Sequence, residues 1–263
     1  MKNPIFENHR IAVCQQPNYF PWLGYLEQCA RAEKLIILDS VQWIRRGLQH
    51  RAKIIPHRQN EEGEARPDFQ WLTVPTKSHG HRERPLKELI LDPDDAWASR
   101  HWLTLASVYG KRPLFRSQFE PLLKPWFDHA TQFKTLLEAT VSSMQLCFEA
   151  LDIKPKIHMS SDLAEQGVKT ERLISLCQSV NADVYYSGLA SSSYLDTHAF
   201  RDANIRLVWQ RWKCSEYDQG RESFRSHLSI LDVLANVPIA EIKDWLSIKP
   251  WGPFGDLKSC VTQ

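Results

Sequence analysis

The chain has 263 residues, 33 of them basic and 31 acidic, for a formal net charge of +2. No field of one sign surrounds such a protein, which argues against a general duplex-binding or membrane-surface role; any basic site must be local. With 43% hydrophobic and 24% charged residues the composition is that of a globular protein, and the length predicts one α/β domain over 1–225. That domain carries a helical insertion at about 96–151, and a C-terminal helical extension over 226–263 packs on it.

In chain order, the apolar run at 11–14 reads as a strand that stops at Gln15, Gln16 and Pro17, because proline has no N–H to give a ladder. A turn at 18–21 leads to a helix at 22–32, where Leu23, Leu26, Cys29 and Ala30 recur at helical spacing. A continuous apolar run at 34–38 closed by Asp39 then reads as the second strand of a parallel sheet, reached by a right-handed crossover. Residues 42–53 hold Arg45, Arg46, His50, Arg51 and Lys53 among Trp43, Ile44 and Leu48. They read either as a solvated strand with those three apolar residues facing inward or as a binding segment.

Further on, 56–67 reads as a polar loop, 71–75 as a short strand, and 77–84 as a basic, glycine-containing mobile segment. From 96 to 151 the period is helical, interrupted by Gly110, Pro113, Pro121 and Pro125. Strands are expected at 155–159, 183–188 and 205–212. An amphipathic helix capped by Thr170 is expected at 170–180, and two short helices at 228–235 and 239–248. The fold class that follows is α/β, a parallel Rossmann-like sheet with a helical insertion and C-terminal helices.

Open parallel sheets bind ligands outside the carboxyl ends of their strands. That rule selects the segments 16–25, 39–51, 74–84 and 187–196. Within them Asp39 followed by Gln42 suits hydroxyl binding, and Lys77, Arg82 and Arg84 suit a clamp closing on an anion. Ser187, Gly188 and the serines at 191–193 read either as an anion nest or as a polar loop before a helix at Tyr194. The partner expected is a small molecule carrying phosphate or carboxylate, with an acyl donor or carrier as a second partner.

No glycine-rich dinucleotide fingerprint is present, so neither a flavin nor a nicotinamide cofactor is indicated. His79 and His81 lack a third nearby ligand and read as a solvated loop, so no metal site is expected. The six cysteines include no C-x-x-C pair, which fits reduced thiols, Cys14 reads as a buried structural thiol, and the opening residues contain no apolar run. A cytoplasmic location without a membrane span is therefore expected. The ten tryptophans suit either packing or sugar stacking.

The segments 16–25, Asp39 with Gln42 and Arg46, Arg51 with Ile54, 71–75, Ser187–Gly188 leading to Tyr194 and Asp196, and 228–236 together resemble the WbqC-like proteins over about 11–238. His50 departs from that pattern, standing where an asparagine is expected. The resemblance implies O-antigen-type surface-polysaccharide biosynthesis, and hence an enzyme transferring an acyl or aminoacyl group to an amino sugar or nucleotide-linked sugar. For such a step the crevice offers candidate catalytic residues: Tyr19 and Arg51, with the 187–193 loop, as donors to a developing oxyanion, and Asp39 to orient or deprotonate the acceptor. Gln16, Asn18, Tyr25, Gln42, Arg46, Lys77, Ser187, Gly188, Tyr194 and Asp196 would then hold the substrate.

A more distant similarity is to the nucleotidylyltransferase superfamily, which begins in the same way. Its His-x-Gly-His motif is replaced here by Trp22, Leu23, Gly24 and Tyr25. A nucleotide-dependent activating enzyme and a non-catalytic carbohydrate-binding factor are the alternative functions.

Overall fold

The computed structural model of the chain describes residues 9–44, 47–56, 69–77 and 84–247. Five parallel strands form its central sheet: β1 (Ile11–Gln15), β2 (Lys34–Ile37), β5 (Lys156–Met159), β6 (Val184–Ser187) and β7 (Arg206–Trp209), in spatial order β5-β2-β1-β6-β7. Registers pair Gln15 with Ile37, Ala12 with Tyr185 and Ser187 with Trp209, which aligns the strand ends along one rim.

Alternation along each strand divides the core in two. Val13, Leu35, Ile37, Val184, Tyr186 and Val208 face the larger cluster, which includes side chains of α1 (Leu23–Arg31), α2 (Trp97–Tyr109), α3 (Glu120–His129), α4 (Leu136–Leu151), α7 (Ile230–Asn236) and α8 (Ile239–Leu246). Ala12, Cys14, Ile36, Tyr185 and Leu207 face the smaller cluster, with Leu176 and Cys177 from α5 (Thr170–Ser179) and Phe200 from α6 (Thr197–Asp202). A sheet covered on both faces explains why its strands read as continuous apolar runs.

Three expectations are corrected. The strand at 71–75 is β4 (Gln70–Thr73), and it pairs antiparallel with β3 (Arg51–Ile54) in a separate two-stranded sheet. Residues 74–84 therefore do not follow a strand of the central sheet. Ladder pairing in the basic segment begins only at Arg51, and Ile44 and Leu48 lie exposed instead of facing inward. Thr170 is not a cap; Lys169 holds the cap position, and the Thr170 hydroxyl instead accepts from the Asp196 backbone N–H at 3.1 Å.

Gly24 shows why the first helix begins as it does. The Trp22 indole lies across its Cα, so a Cβ there would sit 2.1 Å from Trp22 ring atoms. Alanine gains about 1 kcal/mol over glycine in a helix, whereas forcing a ring aside costs about 1–3 kcal/mol. Gly24→Ala is thus expected to lower the melting temperature of the wild type and to raise it in a Trp22→Ala background. The same sign in both backgrounds would show that the ring does not constrain this position.

Candidate functional site

From β1 the chain passes through α1 to β2 and then β5 on one side, while β6 and β7 lie on the other, so the strand order reverses between β1 and β6. The crevice outside the carboxyl ends at such a reversal is the default ligand site of an open parallel sheet. Here its rim is made of Gln15 at the end of β1 and Gln16 beyond it, Asp39 after β2, Ser187 at the end of β6 and Gly188 beyond it, and Gln210 after β7.

The segment following β1 is fixed from every side. The Tyr19 N–H donates to Leu48 O at 3.1 Å and the Phe20 N–H to Ser143 Oγ at 3.1 Å. The Ser229 hydroxyl donates to Phe20 O at 2.7 Å, the Ile230 N–H to Pro21 O at 2.9 Å, and the Tyr25 hydroxyl to Gln16 O at 3.0 Å. Phe20 is held at φ 41°, in the left-handed region that costs a bulky residue of order 1–3 kcal/mol. Surroundings that impose such a conformation leave the loop one shape. This explains the segment 228–236: its Ser229 caps α7, accepting from the Leu231 N–H, while its hydroxyl grips the loop.

Beneath the rim runs a directed chain of amides. Gln15 Nε2 donates to Gln28 Oε1 at 2.6 Å, Gln28 Nε2 to Gln210 Oε1 at 2.8 Å, and Gln210 Nε2 to Glu27 Oε2 at 2.8 Å and to Gly24 O at 2.7 Å. Glu27 is 0% exposed and also receives the Tyr186 hydroxyl at 2.9 Å and the Arg31 guanidinium. Burial and the neighbouring Glu27 carboxylate push the Tyr186 hydroxyl well up, so it stays a donor. Gly188 rests on this chain: a Cβ there would lie 3.2 Å from Gln28 Nε2.

Asp39 is 2% exposed, and both its oxygens are engaged: Oδ1 by the Ser160 hydroxyl and Ser161 N–H at 3.0 Å each, Oδ2 by the Ser161 hydroxyl at 2.7 Å. It ties the rim of β2 to the turn after β5. Tyr19 is 1% exposed, and burial pushes its hydroxyl well up. Its partner is His101 Nδ1 at 3.0 Å, and His101 Nε2 lies 3.2 Å from Thr73 O. Because a carbonyl only accepts, the neutral ring donates from Nε2 and receives the Tyr19 hydroxyl on Nδ1.

Asn18 and Arg51 line a small pocket together with Tyr19, Trp22, Lys53 and His227. Gln16 joins Gln49, whose Nε2 donates to Gln16 Oε1; Gln49 Oε1 and the neighbouring His50 Nδ1 are buried without a hydrogen-bond partner. Burial, aided by Arg51, lowers the His50 pKa to about 4, so this ring is neutral. Gln42 and Lys77 are exposed. Tyr194 is 60% exposed, its hydroxyl on Ser191 Oγ, and Asp196 caps α6, accepting from the His198 and Ala199 N–H groups at 2.9 and 3.2 Å. Arg46, His79, His81 and Arg82 lie outside the described residues.

The structure thus brings Gln16, Asn18, Tyr25, Asp39, Ser187 and Gly188 to one end of the sheet. Sequence reasoning missed Glu27, Gln28 and Gln210, and gave Gln49 no role within the segment 39–51. A signal existed for the first two, adjacent polar residues inside a helix that the sheet must cover. Among the described residues no group of three or more His, Cys, Asp or Glu side chains is placed to hold a metal, and no helix is long and apolar enough to cross a membrane.

A family model described as the WbqC-like protein family matches residues 16–244. The uncharacterised Mycobacterium tuberculosis protein Rv1507c is 31% identical over 238 residues, covering 90% of this chain and 97% of that protein. No solved structure matches the chain.

Proposed function

Since the chain belongs to the WbqC-like protein family, we propose that it is an enzyme of O-antigen-type surface-polysaccharide biosynthesis that transfers an acyl or aminoacyl group to an amino sugar or nucleotide-linked sugar. The observation that carries this reading is the reversal of strand order at β1 and β6, with a rigid, amide-rich rim directly outside it. Amides and backbone groups recognise hydroxyls and N-acyl groups, and the nearby Arg51 stabilises negative charge. In the reaction the acceptor amine forms a C–N bond to the donor carbonyl carbon, the donor's bond to its leaving group breaks, and the amine proton passes to water.

Charge stabilisation at the developing oxyanion falls to Arg51. Asp39 and Tyr19 act as positioning residues, the first through Ser160 and Ser161, the second through the loop it anchors. Gln16 and Gly188 line the acceptor. Purified protein given activated acyl donors and amino-sugar nucleotides is expected to turn over at least one pair, and Arg51→Ala to lower kcat/KM by on the order of 100-fold. Absence of turnover with every pair would count against the transferase reading.

The second reading, a nucleotidylyltransferase-like activating enzyme, draws on the β-α-β opening with Gly24 at the start of α1 and on the cations of β3. It requires exchange of labelled pyrophosphate into a nucleoside triphosphate, which the transferase reading does not.

A further inference from the structure

We infer that Gln15 is the specificity-determining residue of the rim: its amide oxygen, oriented by the buried Glu27 through two further amides, accepts a hydrogen bond from the amine of an amino-sugar substrate. This rests on the proposed reading in that the substrate is an amino sugar, and it gives the amine a place at the end of β1.

The polarity of the amide chain follows from its far end. A carboxylate and a backbone carbonyl only accept, so the Gln210 atom that lies 2.8 Å from Glu27 Oε2 and 2.7 Å from Gly24 O is its nitrogen. Gln210 Oε1 is then the atom 2.8 Å from Gln28, which makes its Gln28 partner a nitrogen as well. Gln28 Oε1 is left to receive Gln15 Nε2 at 2.6 Å. Each amide thus fixes the next, and turning any one of them over would set like atoms against each other. Glu27 holds the end of the series because it is 0% exposed and also receives the Tyr186 hydroxyl and the Arg31 guanidinium.

Only the near end of the series is within a ligand's reach. Gln28 and Gln210 are buried, whereas Gln15 is half-buried. Among the described residues nothing donates to Gln15 Oε1, and that oxygen is not enclosed. Gly188 lies against the same Gln28 amide, so Gln15 fronts the reversal between β1 and β6. The amides direct their N–H ends inward to the carboxylate and finish in a carbonyl oxygen, and dipoles aligned in this way give that point of the rim a negative potential. Such an oxygen takes an N–H or O–H donor and repels a carboxylate or phosphate oxygen. An amine that donates one N–H to it keeps its nitrogen lone pair for attack. Glu27 is a positioning residue for this contact: it touches no ligand, yet it decides whether Gln15 offers an oxygen or a nitrogen.

The test uses the full chain and calorimetric titration with uridine and thymidine diphosphate sugars that carry a free amine at each ring carbon in turn, each beside the analogue with hydrogen in its place. Wild type is expected to bind at least one amine roughly tenfold more tightly than its analogue. Gln15→Met, close in shape and without a polar end, is expected to bring that ratio to about one while the analogue still binds. Glu27→Gln offers Gln210 either an oxygen or an N–H, so the series loses its fixed direction and the ratio is expected to fall to about threefold. A merely structural role for Glu27 would weaken both members of the pair alike, and an unchanged ratio overturns its assignment as a positioning residue. Circular dichroism identifies any variant that fails to fold; Gln15→Met alters a half-buried position and tests the contact even where Glu27→Gln unfolds. An amine preference that persists in folded Gln15→Met overturns the inference, and so does a wild type that binds these nucleotides without preferring any amine. A wild type that binds none of them overturns the sugar-nucleotide reading along with it. An amine preference lost in Gln15→Met, in a protein that acylates none of these sugars, overturns the transferase reading alone.

Discussion

Glu27→Leu is expected to destabilise the protein by about 3–5 kcal/mol, because removing one member of a buried ion pair takes the Glu27 contact from the Arg31 guanidinium in a medium that solvates charge poorly. Leucine fits α1 and suits the core around it, so neither helix propensity nor volume opposes the change. The cost comes from three donors that lose their Glu27 contact together: the Arg31 guanidinium, the Tyr186 hydroxyl and Gln210 Nε2, which keeps only Gly24 O. Each buried donor left unsatisfied costs about 1–3 kcal/mol on its own. Glu27→Gln keeps one acceptor oxygen and the shape of the side chain, so about half that loss is expected. Urea unfolding at neutral pH reads both values from the midpoints. A loss below about 1 kcal/mol for leucine would mean that water reaches this group and that the amide chain is not the foundation of the rim.

The consequence reaches the candidate site through Gln210 and Gln28. Both amides are oriented by the carboxylate, and Gly188 lies against Gln28. Glu27→Gln is therefore expected to weaken binding of a sugar nucleotide, since the amides it orients lie directly under the rim.

Much of this arrangement was legible in the sequence, for a reason that also sets its limit. Apolar runs such as 34–38 declare a buried strand, and Gln16 and Asp39 at their ends mark the rim, because burial and chain direction are local properties. Pairing is not local. Nothing in 71–75 distinguishes a strand of the main sheet from one that pairs with Arg51–Ile54, since only contacts across the chain decide it. Asp39 illustrates a second limit: an acid at a strand end suits hydroxyl binding equally well whether the hydroxyls belong to a ligand or, as here, to Ser160 and Ser161. Asp232 illustrates a third. It lies in the 228–236 segment with its carboxylate fully buried, receiving the Tyr109 hydroxyl at 3.0 Å and the Tyr217 hydroxyl at 2.7 Å. Neither tyrosine is near it in sequence, so an acid in an apolar helix gives no hint of its partners.

Acid is expected to unfold the protein through its buried histidines, in a window set by their shifts. Burial lowers His101 and His50 from the ordinary 6.5 to about 4, against a weaker upward pull on His101 from its bond to Thr73. Between those values the unfolded chain binds a proton on each ring that the native state refuses. The stability these neutral rings contribute is complete above pH 6.5 and declines as pH falls toward 4, by about 1.4 kcal/mol per pH unit for each ring. Asp232 works in the opposite sense. Burial raises its carboxyl above 3.8, so its ionised form costs stability as pH rises, and protonation returns some of that on acidification. The two rings set the decline, and Asp232 offsets part of it. His101→Gln, which keeps a donor for Thr73 O and an acceptor for Tyr19, is expected to be less stable at pH 7.5 yet to show an acid slope shallower by about 1.4 kcal/mol per unit. Urea midpoints at pH 4.5, 5.5, 6.5 and 7.5 measure both slopes. Equal slopes would show that His101 titrates as freely in the folded protein as in the unfolded chain, and that the anchor of Tyr19 is open to water.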